Sequence, residues 1–307
     1  MIKTAIIGAG TPDGGELIRL LSMHPEVEII AVNARGLEGT KVTDRHHGLI
    51  GDIDINFSDK LDFEKYDVLF VCYPEIGDQE IVALREKYPE MNIILFHVPT
   101  HLDREKYGIV YGVPEIFRKA FVRGAKAAEV PESFAVMALV ALFPFALNLL
   151  LNSDIKIDVK APESIIEESD VETVESEIRK VLSDVQKSFN SPIKMDVTAG
   201  DMRRSTLMDI TFECPLTLPQ ILNLYEMYDD HNFTFVTTSQ IGVSEVAGTD
   251  KCIISVDKIE DKVKLTVAAD CRLRGASGDA VHIMNLMFGL HEKTGLALKA
   301  SDFEPIQ

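Results

Sequence analysis

Near the start of the chain, Gly8-Ala-Gly10-Thr11-Pro12-Asp13-Gly14-Gly15 has the composition of a phosphate-binding turn. Glycines let a backbone come close to a pyrophosphate. A helix opening behind them offers free N–H groups and the positive end of its dipole. The apolar run Lys3 to Gly8 ahead of the turn and GELIRLLSMH after it supply the strand–turn–helix context that such a motif requires. The spacing is not G-x-G-x-x-G: Asp13 stands where the third glycine would fall, one residue before Gly14, and sets a negative charge in the mouth of the anion site. At the end of the second apolar run, Asn33 and Arg35 replace the acid that would take a ribose hydroxyl. An arginine there suits the 2′-phosphate of NADP better than NAD. Cys72 ends a further strand beside the same crevice. The expected cofactor contacts are therefore Gly8, Gly10, Thr11, Pro12, Asp13, Gly14, Asn33, Arg35 and Cys72.

Other chemistry is sparse. Cys72, Cys214, Cys252 and Cys271 lie far apart with no C-x-x-C spacing, so neither a disulfide framework nor a zinc site is signalled. His46 and His47 are adjacent. His97 and His101 are four apart, but Pro99 between them speaks against one helical face. No metal site is expected.

The elements that must position these residues change character along the chain. Residues 1–130 alternate short apolar runs (Lys3 to Gly8, Val27 to Asn33, Asp67 to Cys72, Asn92 to His97) with helical segments, which argues a Rossmann-like parallel sheet with right-handed crossovers. Residues 131–279 read as an α+β domain with an antiparallel or mixed sheet. Its strands are Ile155 to Val159, Leu207 to Phe212, Cys252 to Val256 and Val263 to Ala268, and its amphipathic helices run from Val171 to Phe189 and Pro219 to Tyr228. A C-terminal helix, about residues 280–307, is expected to return to the first domain.

Composition narrows the class of function. In 307 residues, 49 acids against 31 bases leave a formal charge of −18, which repels nucleic acid and anionic lipid. The run Phe134 to Leu151 is nearly long enough to span a bilayer, but Pro144 and Asn148 interrupt it and no basic cluster flanks it; a buried helix is expected. No apolar leader precedes the first strand, so a cytoplasmic location is expected.

Longer segments carry a resemblance. AIIGAGTPDGGELIRLLSMHPEVEI, YGVPEI (Tyr111 to Ile116), ILNLYEMYDDHNFTFV and GASGDAVHIMNLMFGL (Gly275 to Leu290) resemble N-acetyl-gamma-glutamyl-phosphate reductase, an arginine-pathway enzyme of the semialdehyde dehydrogenase superfamily. The resemblance implies a dinucleotide domain, a catalytic and oligomerisation domain, and a homo-oligomer. It also implies a mechanism: a cysteine thiolate attacks an acyl phosphate, NADPH reduces the thioester, and a histidine handles protons.

The chain departs from that pattern at each catalytic segment. The family's N-P-G-C aligns with Val130-Pro-Glu-Ser133, which puts Ser133 at the nucleophile position. A serine hydroxyl needs an adjacent base where a thiol at a helix N-terminus does not, and a serine ahead of a helix reads first as an N-cap. The histidine stretch aligns with Glu172-Thr-Val-Glu-Ser-Glu-Ile178, and no histidine occurs between His101 and His231. The site-lining D-L-S-x-D-[FY]-R matches only as Phe96 to Arg104. Seven acids and no base lie between Glu163 and Glu177. What survives is Arg204, at the place of the family's phosphate-side arginine. The resulting expectation is a degenerate family member with a weakened NADP site: a metabolite or cofactor sensor, or a non-catalytic subunit beside an active relative. The alternatives are an NADP-dependent oxidoreductase using Tyr111, His101 or Ser133 as proton donor, and the family reaction itself through Ser133 and Arg204.

Overall fold

The computed structural model describes residues 1–72, 76–96 and 102–300. The chain divides into two compact units, one formed by Met1–Pro131 with Ala276–Ala297 and the other by Glu132–Gly275.

The first unit starts with β1 (Ile2–Ile7), α1 (Pro12–Ser22), β2 (Val27–Asn33), the short α2 (Val42–Arg45) and β3 (Val68–Val71). It continues through α3 (Asp78–Lys87), β4 (Asn92–Phe96), β5 (Ile109–Tyr111), α4 (Pro114–Val122) and β6 (Ala127–Val130). All six strands are parallel, in the order β2-β1-β3-β4-β6-β5. β3, β4 and β6 are buried at every position, as a parallel sheet covered on both faces demands. The order reverses between β1 and β3, so the turn after β1 and the end of β3 flank the point where open α/β sheets take ligands.

The second unit contains α5 (Ser133–Leu147), β7 (Ile155–Ala161), α6 (Glu163–Glu168), α7 (Val171–Val185), β8 (Ile193–Ala199) and β9 (Ser205–Glu213). It ends with α8 (Leu218–Leu224), β10 (Thr234–Thr237), β11 (Cys252–Ile259) and β12 (Lys262–Asp270). Its sheet, β10-β11-β12-β9-β7-β8, is mixed rather than purely antiparallel, because both edge strands run parallel to their neighbours. β7 and β8 are joined through α6 and α7, and β10 and β11 through a loop over residues 238–251; a crossover connection yields parallel strands where a hairpin would not.

α5 is the apolar run that could have suggested a membrane span. It is buried from Ser133 to Ala146 under α7 and against β9 and β12, and no helix among the described residues is long and apolar enough to cross a membrane. Pro144 lies inside it. Proline lacks the N–H that would bond the carbonyl four residues back, and that carbonyl, on Val140, instead accepts from the Tyr228 hydroxyl at 2.8 Å. Tyr225 donates to the next carbonyl, Ala141, at 2.7 Å. Two tyrosines following α8 thus satisfy the backbone that the proline disturbs.

The chain then returns to the first unit as α9 (Gly278–Met287), which packs against α1 and α4. Its buried polar residues anchor the segment beyond it. His282 Nε2 meets Glu292 Oε2 at 2.8 Å, Arg118 donates to Glu292 Oε1 at 2.8 Å, and Asn285 bonds the carbonyls of Glu292 and Thr294. Burial alone would raise the Glu292 carboxyl, but its bonds and attraction to His282 and Arg118 outweigh that and hold it at about 2.

Tyr228→Phe should leave the Val140 carbonyl buried without a partner and destabilise the protein by about 1–3 kcal/mol, the desolvation cost of such a group. Urea denaturation of both proteins checks this, with no change expected in the slope of the transition.

Candidate active site

The candidate cofactor residues lie in the first unit. Thr11 caps α1, its hydroxyl accepting from Gly14 N at 3.1 Å and donating to Gly8 O at 2.8 Å. Gly8 has φ +75°, and a Cβ there would stand 1.7 Å from the Cys72 carbonyl oxygen. Only glycine lets the turn and the end of β3 pass so closely. Gly14 is equally constrained, since its Cβ would reach within 2.6 Å of the Ala9 backbone. Gly10 is less confined, its nearest neighbours being the Ala34 and Leu37 side chains. Cys72 is buried; it joins the turn through its backbone. The glycines keep the turn close to the end of β3. Pro12 has no N–H, the N–H of Gly14 is bonded to Thr11, and half-buried Asp13 brings its charge into the first turn of α1.

Around the turn, Asn33 accepts from Ala9 N through its carbonyl at 2.9 Å and donates its amide to Ser58 O at 2.9 Å. Arg35 is exposed in the turn after β2. His46 was not among the expected contacts, yet its ring holds the turn. Nε2 lies 2.7 Å from the Ala9 carbonyl, and a Cβ on Gly15 would stand 2.6 Å from the ring. A carbonyl only accepts, so Nε2 carries the proton. Burial, aided by the Arg45 charge and opposed by the Ala9 bond, lowers the imidazole below its usual range and favours this neutral form. Arg45 adds a bond to the Gly10 carbonyl at 2.8 Å.

Arg104, the remnant of the site-lining motif, donates to both oxygens of buried Glu129 and lies over the Tyr111 ring, 5.7 Å from its centre. His97 and His101 fall outside the described residues.

The candidate catalytic residues lie in the second unit. Ser133 is the first residue of α5 and not its cap: Glu132 occupies the cap position. The Ser133 hydroxyl instead donates across to the backbone, 2.6 Å from Arg274 O and 3.0 Å from Cys271 O. The reason is Gly275, at φ +65°, where a Cβ would lie 2.4 Å from Ser133 Cα. The absence of a side chain lets the 271–275 backbone press against the first turn of α5, within reach of a short hydroxyl.

Cys271 is a site neighbour that its sequence context gave no reason to single out. Its thiol donates to Thr206 Oγ1 at 3.0 Å. Burial pushes the thiol up to about 11, although bonds to Thr206 and Ser133 pull the other way. It is therefore protonated at neutral pH, and the thiolate is the nucleophilic form.

Carbonyl oxygens do not act as general bases at neutral pH, and the unit's one histidine, His231, stacks edge-on against Tyr228. Tyr228 bonds Val140, two turns along α5 from Ser133.

Arg204 bonds the fully buried Asp270, 2.6 Å from Nε to Oδ2. Asp270 also accepts from Gly248 N and Arg272 N, while burial raises its carboxyl against these attractions. Arg272 makes two bonds to Glu168 at 2.6 and 3.0 Å, so the acidic run that holds no base meets one from a distant segment. Asp170 caps α7 through Thr173 N, and Glu175 accepts from Met195 N. Part of the acidic run is therefore structural.

The model for the semialdehyde dehydrogenase NAD-binding domain matches residues 3–123. A protein of Parabacteroides distasonis named N-acetyl-gamma-glutamyl-phosphate reductase is 35% identical, over 99% of this chain and 100% of its own length. One of the same name from Bacteroides thetaiotaomicron is 34% identical with the same coverage. Among solved structures, aspartate semialdehyde dehydrogenase II of Vibrio cholerae, complexed with ASA, shares the fold at TM-score 0.70 and 15% identity, over 94% of this chain and 98% of that one.

Ser133→Ala should remove the hydroxyl that joins α5 to the 271–274 carbonyls and destabilise the protein by about 1–3 kcal/mol. Gly275→Ala should be worse, because a Cβ has no room and the backbone is left-handed. Thermal unfolding of the two variants should rank them in that order.

Proposed function

This chain belongs to the N-acetyl-gamma-glutamyl-phosphate reductase family, and on that footing we propose that it is a dinucleotide-binding member that does not carry out the covalent acyl transfer. The observation that carries the reading is the Ser133 hydroxyl, directed into two backbone carbonyls with no base beside it. Three arginines in or beside the family's site segments support it, each already paired with a carboxylate: Arg104 with Glu129, Arg204 with Asp270 and Arg272 with Glu168. An acyl phosphate entering such a site has to displace a carboxylate from each arginine it engages.

NADP fits the turn in outline. Gly8 and Gly14 keep the backbone geometry, Gly10 and Thr11 face the opening of α1, and Arg35 offers a partner for a 2′-phosphate. Pro12 and Asp13 weaken the anion contacts. The bound cofactor would supply or accept hydride; this chain's own residues orient it. The role is that of a sensor of cofactor or metabolite, or of a non-catalytic subunit in a homo-oligomer or beside an active relative.

A second reading is the reaction in the relatives' name, NADPH-dependent reduction of N-acetyl-gamma-glutamyl phosphate. Full-length identity of 30–35% to proteins of that name favours it. Ser133 would be the acyl acceptor, with Arg204 toward the phosphate.

Titration followed by nicotinamide fluorescence should show micromolar binding of NADPH, weaker binding of NADH, and a smaller difference in Arg35→Ala. With N-acetylglutamate semialdehyde, NADP and phosphate, no turnover is expected, and Ser133→Cys alone should not start it because the 172–178 stretch still holds no histidine. Turnover of the wild type at about 1 per second or faster, the ordinary enzyme range, would establish the second reading instead.

A further inference from the structure

We propose that the first unit carries a second ligand site, for a small dicarboxylate bearing a hydroxyl or amino group, at the β2 edge of its sheet. A cavity of about 420 Å³ opens there, within the range of roughly 300–1,000 Å³ that accommodates metabolites. It lies beside Lys3, at the beginning of β1, whereas the glycine-rich turn follows the strand's other end. Four residues of the strand, Thr4 to Ile7, at about 3.3 Å each, lie between Lys3 and Gly8.

The cavity has a structural origin. Thr4 pairs with Ile29 but Ala5 pairs with Ala31, so Ile30 is an extra residue in the edge strand β2. Such a bulge bends a strand and re-aims its side chains. Ile30 and Ala31 both line the cavity as a result, and with Tyr66 they give it an apolar floor.

Its rim is charged, with a defined imbalance. Lys65 is paired with Asp62 at 3.0 Å, which cancels both. Lys3, Lys60 and Glu28 line the same cavity and enter no ion pair among the described residues. Lys3 and Glu28 are register partners across β1 and β2 without an ion pair, and with Lys60 they present two ammonium groups and one carboxylate, complementary to two carboxylates and one N–H or O–H donor. This stands out in a chain of net charge −18, in which Arg104, Arg204 and Arg272 are each paired with a carboxylate.

The cavity wall is tied to the dinucleotide turn. Ser58 lines it, donates its N–H to Val32 O at 2.6 Å, and accepts the Asn33 amide at 2.9 Å. Asn33 in turn accepts from Ala9 N within the turn. An acid that shifts the 58–60 segment therefore bears on Asn33. The coupling rests on the dinucleotide reading; the acid site itself does not.

Isothermal titration of the full-length protein with L-malate, L-aspartate and succinate tests it. Malate or aspartate should bind, succinate at least about tenfold more weakly for want of a donor to Glu28, and Lys60→Glu and Lys3→Glu should each weaken binding about tenfold or more. Both lysines are exposed, so the variants should fold, which circular dichroism checks. Absence of binding by malate and aspartate, or equal binding by wild type and both variants, overturns the site. With the acid saturating, NADPH affinity should change, and by the same factor acid affinity should change with NADPH saturating. Unchanged NADPH affinity removes the coupling. Acid binding in a protein that takes no NADPH would leave the acid site standing and defeat the dinucleotide reading.

Discussion

The second unit depends on a close approach of two backbones. Gly275, held at positive φ, allows the segment after β12 to lie against the first turn of α5, where any side chain would collide with Ser133 Cα. Once the backbones are that near, the carbonyls of Cys271 and Arg274 stand within a hydroxyl's reach of α5, and position 133 becomes a fastening point. Asp270 and Arg272, on the same segment, are placed to receive Arg204 and to reach Glu168. The network of fixed charges follows from where that backbone is held.

The first unit uses the same device for another purpose. Gly8 lets the turn after β1 cross the end of β3, and His46 secures the turn from outside through the Ala9 carbonyl. The shape that a pyrophosphate would meet is kept by steric necessity, since a larger residue at 8 or 14 has nowhere to go. The contacts that hold charge are under no such necessity, and there the chain departs from the usual spacing at Pro12 and Asp13. Packing constrains the framework of the turn far more tightly than its charged contacts.

Much of this was readable from residues alone. β2 spans Val27–Asn33 as its apolar run implies, and α5 is the buried helix that Pro144 and the lack of basic flanks suggested. Short edge strands were not readable: β5 has three residues and β10 four, too few for periodicity to register. The partners of the site residues were hidden for a different reason. Asp270 is 66 positions from Arg204, and Arg272 is 104 from Glu168, and no local pattern encodes a pairing across such separations. Cys271 was invisible as a site neighbour because its significance lies in the fold of the turn around it. Ser133 was read as a possible cap by its place before a helix, whereas the approach of Gly275 redirects its hydroxyl.

The central claim is that Ser133 fastens backbone and accepts no acyl group. Intact-mass spectrometry of the protein after incubation with N-acetyl-gamma-glutamyl phosphate, quenched in acid to preserve esters, tests it most directly. The account predicts an unshifted mass for the wild type, since neither the Ser133 hydroxyl nor the Cys271 thiol is activated. An added acyl group that peptide mapping places on Ser133 would contradict it.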